Sequence, residues 1–295
     1  MNLNERACRV LVELADDIGL EYSSHNTGYG KAFVYDFGVE SDYSIEDGLT
    51  IARACMGCLS NIELVDDLIR VEVSDKPDVA TLSCQMIGWC LDLNGGFALG
   101  SGPAKLLAFK PDLVVEKIGF LEKNTRACLI LESDVLPSAL LCERILMDLD
   151  ADELFIASFK SKSHVGLINI MARIIEVGLY RLFNLGFDVK KIISAVGECV
   201  IPLLSDDIMF EANNTLIYDG LVWLELSGWP AGLEDKVVSS YSKLYGQGFK
   251  QVYDKAGGDF NLIDPDFFAP AVLEVVDKSD GKHYRAGKSG GVLDG

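Results

Sequence analysis

Histidine is scarce in this 295-residue chain, which limits the metal chemistry open to it. The three histidines are far apart in sequence: His25, His164 and His283. None forms the His-x-x-x-His or His-Glu pattern of a metal-binding helix. Among eight cysteines, Cys55 and Cys58 have the Cys-x-x-Cys spacing, but the second short pair of a zinc ribbon is missing. We therefore expect no metal site, and cysteines that are reduced and packed in the core.

Long apolar runs and a secretory leader are also missing. No uninterrupted apolar stretch approaches the ~18 residues that a membrane-spanning helix needs. The first residues include Glu5 and lack an apolar core followed by a small-residue cleavage site. These features predict a cytoplasmic protein with no membrane partner.

Basic residues are outnumbered, with 26 Lys and Arg against 45 Asp and Glu and a net charge of −19. Nucleic acid binding requires clustered cations, so no nucleic-acid partner is expected. Apolar residues make up 49% of the chain, which is typical of a folded protein. The length allows about two domains of roughly 150 residues each.

Periodicity predicts helices and strands in mixture, and hence an α+β or mixed α/β class. Helices are expected over 4–19, over 44–56 with a capping box from Ser44 to Asp47, from Pro77 through residue 89, and over 165–183. Strands are expected around 33–38, 62–65, 68–73, 127–132 and 154–159. Hairpins are expected near 215–226 and at the Asp280-Gly281 turn. The acidic segment 147–153 is either a domain linker or a loop.

The apolar helix over 165–183 carries one line of polar residues. Asn169, Arg173, Glu176 and Tyr180 are spaced by four, three and four, which places them within roughly 60° on a helix. Arg173 and Glu176 can therefore meet, with the arginine favouring the charged carboxylate and burial opposing it. Such a glutamate suits general acid/base catalysis, but a structural ion pair in a helix bundle has the same pattern.

A glycine-rich run over 95–105 is the second candidate site. Its residues Gly100, Ser101, Gly102, Pro103 and Lys105 predict close backbone approach to a ligand. Free amide donors at a helix entry are expected to bind an anion or a polar heterocycle there. The run completes neither nucleotide-binding glycine pattern. A tight strand-to-helix turn is the alternative interpretation.

Several segments together resemble one family. They are Phe-Ala-Leu-Gly-Ser-Gly-Pro-Ala-Lys at 97–105, Ala-Arg-Ile-Ile-Glu at 172–176, Asn-Asn-Thr-Leu-Ile-Tyr at 213–218, Phe-Asn-Leu-Ile-Asp-Pro at 260–265, and Phe-Ala-Pro at 268–270. Cys-Met-Gly at 55–57 and Gln-x-x-Gly-Trp at 85–89 extend the match. In this order, the motifs resemble the methenyltetrahydromethanopterin cyclohydrolases.

The resemblance implies two α/β-type domains with mixed sheets flanked by helices and an active-site cleft between them. We expect domains at 1–120 and 121–295, the second carrying the catalytic helix, with crossing segments left open. The family's activity is reversible hydrolysis of a carbon-nitrogen bond in a cyclic amidine, converting the methenyl pterin to its formyl form. The resemblance further implies one-carbon metabolism, as in methanogenesis or formaldehyde oxidation, no metal or organic cofactor, and a homo-oligomer such as a trimer.

The family's catalytic arginine and glutamate correspond to Arg173 and Glu176. The expected substrate-binding residues are Asn169, Gly100, Ser101, Gly102, Pro103, Lys105, Asn213, Tyr218, Lys160 and Lys162.

This chain departs from the family pattern at three places. Only Val-Ile-Pro-Leu at 200–203 represents the family's Pro-Ile-Ala-Pro-like segment. Glu211 stands where relatives carry a basic residue, and Lys160 and Lys162 stand in the loop before the catalytic helix. The two lysines either compensate for the lost cation, read a different tail on the pterin, or are solvated loop residues. Two other functions remain open: a non-catalytic pterin-binding paralogue, and a hydrolase of another cyclic amidine or imide.

Overall fold

The computed structural model describes residues 2–92 and 97–290. Gly95 and Gly96 of the glycine-rich run lie outside the described residues. The chain forms two compact units, Met1–Ser60 with Val79–Asn169, and Asn61–Asp78 with Ile170–Gly295. The boundary expected near residue 120 lies inside the first unit, and the chain crosses between the units after residues 60, 78 and 169.

Helices and strands alternate irregularly along the described residues. The α-helices are α1 Leu3–Ile18, α2 Ile45–Cys55, α3 Lys105–Ala108, α4 Asp112–Ile118, α5 Ala139–Asp148, α6 His164–Met171, α7 Ile174–Asn184, α8 Ile208–Tyr218, α9 Glu234–Val237 and α10 Phe249–Lys255. The strands are β1 Tyr22–Asn26, β2 Lys31–Asp36, β3 Asn61–Val65, β4 Leu68–Val73, β5 Trp89–Asp92, β6 Phe97–Ser101, β7 Arg126–Ser133, β8 Glu153–Phe159, β9 Ile192–Val200, β10 Leu221–Leu226, β11 Val272–Asp277 and β12 Lys282–Gly287. A π-helix covers Val79–Gln85, and short 3-10 helices cover Val189–Lys191, Ser239–Tyr241, Phe260–Leu262 and Pro265–Phe267.

The first unit is built on a mixed sheet of order β1-β2-β8-β7-β6-β5, in which β2, β8 and β7 are parallel. Alternate residues of β8 point to opposite faces, so Phe155 and Ala157 pack with α1 and α2, while Leu154 and Ile156 pack with α5. The capping box of α2 is confirmed, because Ser44 accepts from the Asp47 amide and Asp47 accepts from the Ser44 amide.

The second unit has its own mixed sheet, of order β12-β11-β10-β9-β4-β3, in which only β10 and β11 are paired in parallel. Helix α7 packs against β9 and β10 on one face of this sheet. The expected hairpin at Asp280-Gly281 is confirmed by the antiparallel pairing of β11 with β12. Two mixed sheets flanked by helices confirm the expected fold class.

One expected hairpin is wrong, and the helix expected from Pro77 is confirmed only in its first part. The hairpin near 215–226 is instead the end of α8 followed by β10, because Ile208, Ala212 and Leu216 recur every four residues and form a buried helical face. The helix expected from Pro77 is a π-helix that ends at Gln85. In it the Met86 amide donates to the Thr81 carbonyl, five residues back, at 2.8 Å.

The long helix expected over 165–183 is also wrong as a single element, because it is divided into α6 and α7 at Ala172 and Arg173. The boundary between the two units lies within α6, after Asn169. In the part of the chain that the structure describes, no helix is both long and apolar enough to span a bilayer.

Candidate active site

Arg173 and Glu176 form a close ion pair at the beginning of α7. Arg173 Nη1 donates to Glu176 Oε2 at 2.6 Å. The two side chains are only 15% and 11% exposed, so water screens the pair weakly. Glu176 Oε1 makes no hydrogen bond to any residue in 2–92 or 97–290, and it therefore remains available to a water or a substrate.

The break between α6 and α7 sets the position of this pair. Arg173 has φ −77° and ψ 2°, and its amide donates to Ile170, three residues back, at 3.0 Å. The Met171 carbonyl accepts from the Cys199 thiol at 3.8 Å. Burial raises the pKa of that thiol well above its ordinary value, so it remains a neutral donor. Sequence periodicity could not reveal Cys199, because it acts through a contact between β9 and the helix break.

Asn169, the last residue of the first unit, has only 1% of its surface exposed. Its Oδ1 has no hydrogen-bond partner among the described residues. A buried amide oxygen without a partner is costly, so such atoms commonly accept from an ordered water or a ligand. This observation suits the predicted contact with substrate or water.

The backbone of the Gly100 to Lys105 turn is already used by the protein. The Gly102 amide donates to Cys84 at 2.8 Å, and the Ala104 amide donates to Cys128 at 2.9 Å. The expected free amide donors at this turn are therefore wrong. Tertiary neighbours that the sequence pattern does not reveal, the π-helix and β7, take these donors.

The side chains of the turn are buried too. Ser101 is 3% exposed and its hydroxyl donates to the Ile130 carbonyl at 3.3 Å. Lys105 is fully buried and its Nζ donates to the Leu82 carbonyl at 2.9 Å. The arrangement favours a packed turn, and substrate contact by Gly100, Ser101, Gly102, Pro103 or Lys105 stays a prediction.

The predicted contacts on α8 have partners inside the second unit. Asn213 Nδ2 donates to the Met209 carbonyl of its own helix at 2.8 Å. The Tyr218 hydroxyl donates to Gln247 at 2.7 Å and accepts from the Gly246 amide at 3.0 Å. Because Tyr218 is 2% exposed and belongs to an aromatic core, its local role is packing. Substrate contact by these two residues stays a prediction.

The two loop lysines follow the carboxyl end of β8 in the first unit. Lys160 Nζ donates to the Val39 carbonyl at 2.6 Å, whereas Lys162 is exposed. Phe159 pairs with Glu132 of β7, while the glycine-rich turn is bonded to Cys128 of the same strand. Gly100, at the beginning of the turn, pairs with Leu131, the β7 neighbour of Glu132. Substrate contact by Lys160 and Lys162 stays a prediction.

Metal-ligating side chains are not grouped in the described ranges 2–92 and 97–290: no three His, Cys, Asp or Glu side chains there could hold an ion. Cys55 and Cys58 are instead packed, with Cys55 fully buried and its Sγ 3.3 Å from the Ser101 hydroxyl. Burial raises the pKa of the Cys58 thiol to about 11.

Comparison with known proteins gives the same family over nearly the whole chain. The family model described as Cyclohydrolase (MCH) matches residues 2–293. A methenyltetrahydromethanopterin cyclohydrolase of Methanocella arvoryzae is 34% identical over 98% of this chain and 95% of its own length. Proteins of the same name from Methanospirillum hungatei and Methanococcoides burtonii are 32% and 31% identical, each over 98% of this chain and over 96% and 95% of their own lengths. The chain with the Arg173–Glu176 pair therefore belongs to the cyclohydrolase (MCH) family of enzymes.

Proposed function

We propose that this enzyme reversibly hydrolyses methenyltetrahydromethanopterin to the formyl form in one-carbon metabolism. The single observation that carries the proposal is the largely buried Arg173–Glu176 pair, in which Arg173 binds one carboxylate oxygen and the other has no partner among the described residues. The names of relatives that align over 98% of the chain support the choice of substrate.

The substrate itself determines what the protein must supply. Its methenyl bridge is a cationic carbon between two nitrogens, so it is already electrophilic and needs a positioned water and a proton acceptor. Glu176 Oε1 takes a proton from the water as its oxygen bonds to that carbon. Glu176 then delivers the proton to the nitrogen that leaves. The carbon-nitrogen bond breaks as the hydroxyl on that carbon becomes the formyl carbonyl, and the hydroxyl proton is released to solvent, which balances the positive charge lost from the methenyl bridge. The reverse reaction follows the same steps backwards.

Arg173 acts on this reaction through Glu176. By binding Oε2 it turns Oε1 toward the reacting water. The carboxylate also stabilises the cationic substrate in a pocket of low dielectric constant. Asn169 Oδ1 is assigned to substrate or water binding, because this buried oxygen has no hydrogen-bond partner among the described residues.

The proposal includes no metal or organic cofactor, since the electrophile is part of the substrate. It also includes a cytoplasmic homo-oligomer, such as a trimer, and the pterin as the small-molecule partner. Lys160 and Lys162 are assigned to the anionic tail of the pterin, since a chain of net charge −19 must gather cations locally to attract an anion.

The deciding experiment follows the loss of the methenyl chromophore with purified wild type and Glu176→Gln. We expect kcat of the variant to fall at least about 100-fold, as for loss of a general acid/base, with substrate affinity largely kept. Glu13→Gln, at an exposed position of α1, is the matched control and keeps wild-type turnover.

Three outcomes contradict the proposal in different ways. If Glu176→Gln keeps most of the wild-type turnover, Glu176 is not the general acid/base. Wild type that binds the pterin without consuming the chromophore supports the non-catalytic paralogue. If wild type does not hydrolyse this pterin but hydrolyses another cyclic amidine, the proposed substrate is wrong.

A further inference from the structure

Gly197 and Gly220 of the second unit pack closely against Ile174, the first residue of α7, which directly follows Arg173. We propose that Gly197 and Gly220 are positioning residues of the active site, which leave room for Ile174 and so fix the first turn of α7. The inference rests on the proposed roles of Arg173 and Glu176, and it adds residues that lie outside the polar line of that helix.

Gly197 lies on β9, directly under the beginning of α7. A Cβ atom built on Gly197 overlaps Cγ2 of Ile174 and lies 2.9 Å from Cγ1 of Ile175. Glycine in the middle of a strand weakens it and commonly marks a close approach of other atoms. Here the close approach is that of the helix that carries Glu176.

Gly220 lies between α8 and β10 and contacts the same isoleucine from another side. A Cβ atom built there overlaps Cδ1 of Ile174 and the carbonyl oxygen of Leu216. Neither Gly197 nor Gly220 has a positive φ, so a larger residue meets no backbone strain at either position. Both positions require glycine because a Cβ atom there would overlap neighbouring atoms.

The position of Ile174 determines the positions of Arg173 and Glu176, because all three residues belong to the beginning of α7. Ile174 follows Arg173 directly and precedes Glu176 by two residues, in the first turn of α7. Ile174 and Ile175 are both fully buried, so the turn cannot move outward without exposing them. Displacement of a catalytic group by about 1 Å can cost about 100-fold in rate.

A third glycine provides a matched control on the same helix. A Cβ atom built on Gly178 lies 3.4 Å from Val222, which is ordinary van der Waals contact. Gly178 lies two residues beyond Glu176, near the middle of α7. An alanine there fits without moving the helix.

The test compares kcat, KM and melting temperature of Gly197→Ala, Gly178→Ala and the double variant Gly197→Ala/Ile174→Ala, on the full chain with the methenyl pterin. We expect Gly197→Ala to lower kcat at least about 10-fold with KM changed less than about 3-fold, and Gly178→Ala to keep wild-type kcat. In the double variant the Ile174 branches that overlap the new methyl group are gone and the 2.9 Å approach to Ile175 Cγ1 remains, so kcat recovers in part, at least about 3-fold relative to Gly197→Ala.

A folded Gly197→Ala with wild-type kcat overturns the inference, as does a double variant with no recovery. If Gly197→Ala does not fold, Ile174→Leu takes its place, because it keeps the volume and moves the branch that fits against the two glycines. We then expect kcat to fall at least about 3-fold, and unchanged kcat overturns the inference. Full activity in Glu176→Gln contradicts the proposed function instead, so the two failures are distinguishable.

Discussion

Arg173 binds Glu176 from outside the helix that carries it. Arg173 is the N-cap residue of α7, and Glu176 lies in the first turn, with 2.6 Å between Nη1 and Oε2. The positive end of the helix dipole and the guanidinium therefore both act on one carboxylate. The break that separates α6 from α7 places these two influences at the same residue.

Arg173→Lys is expected to lower kcat by about 10-fold or more, because a lysine cannot reproduce the planar donor that holds Oε2. Arg181→Lys is the matched control near the other end of α7, where Arg181 binds Asp266 and the Lys236 carbonyl. The control is expected to lose thermal stability while the turnover of folded protein is kept. Equal turnover in Arg173→Lys and wild type contradicts the role of Arg173.

Replacing Lys160 and Lys162 by alanine is expected to raise KM several-fold at low ionic strength. The difference should shrink as salt rises, because exposed charges are screened beyond roughly 10 Å at about 0.1 M. Steady-state kinetics across a salt series measure it, with Lys123→Ala as an exposed control. The same KM in the double variant and wild type at all salt concentrations contradicts a role in binding the pterin tail.

Asn4→Ala is expected to lower the free energy of unfolding by about 2 to 3 kcal/mol, since buried groups lose their partners. The fully buried Asn4 amide donates to Pro103 at 2.9 Å and accepts from the Cys128 amide at 2.9 Å. Denaturant unfolding measures the loss. Asn124→Ala removes a single bond to the Asn2 side chain, so the control should lose less than about 1 kcal/mol.

The lowered pKa of Asp277 predicts that the second unit loses stability in acid. The Ser279 hydroxyl and the Trp229 and Gly228 amides donate to it and hold its pKa well below the ordinary 3.8. A lowered carboxyl pKa contributes stability above the ordinary value, and this is lost as pH falls toward the lower one.

Asp277→Asn should therefore melt at a lower temperature near pH 7 and lose less stability than wild type between about pH 5 and pH 2. Melting temperatures over this range are the measurement. Asp254→Asn, an exposed position of α10, should follow the wild-type curve. An Asp277→Asn curve parallel to wild type would show that Asp277 contributes nothing to the acid transition.

Thiol labelling should distinguish Cys90 from the other cysteines by its rate of reaction. Cys90 is exposed, whereas burial raises the pKa of Cys142 to about 12 and that of Cys84 and Cys199 further. We expect iodoacetamide at about pH 8 to label Cys90 first in native protein, and all eight thiols after unfolding. Mass spectrometry of tryptic peptides reads the order. Labelling of Cys199 as fast as Cys90 contradicts the burial of the thiol beside the helix break.

Local sequence patterns predicted the elements whose signals are contained within a few residues. The Ser44 capping box, the strand over 68–73 and the Asp280-Gly281 hairpin are confirmed, because caps, alternation and turn residues act over three to six positions. The pairing of Arg173 with Glu176 is confirmed for the same reason, since side chains three apart meet at the beginning of a helix.

Tertiary contacts decided the features that sequence patterns missed. The helix expected over 165–183 is divided where the Met171 carbonyl accepts from Cys199, a residue 28 positions away. The amides of the glycine-rich turn, expected to be free, are taken by Cys84 and Cys128. Neither contact leaves a periodic signal near the residues that it affects.

The sequence by itself determined that this chain is an acidic α/β protein in which an arginine and a glutamate meet on one helical turn. Those properties follow from composition and from spacings of three and four residues. Only the tertiary structure decided where that turn lies. Gly197 and Gly220, which are distant from it in sequence, leave the space that Ile174 occupies. The physical reason is that close packing depends on which atoms meet, and residues far apart along the chain supply them.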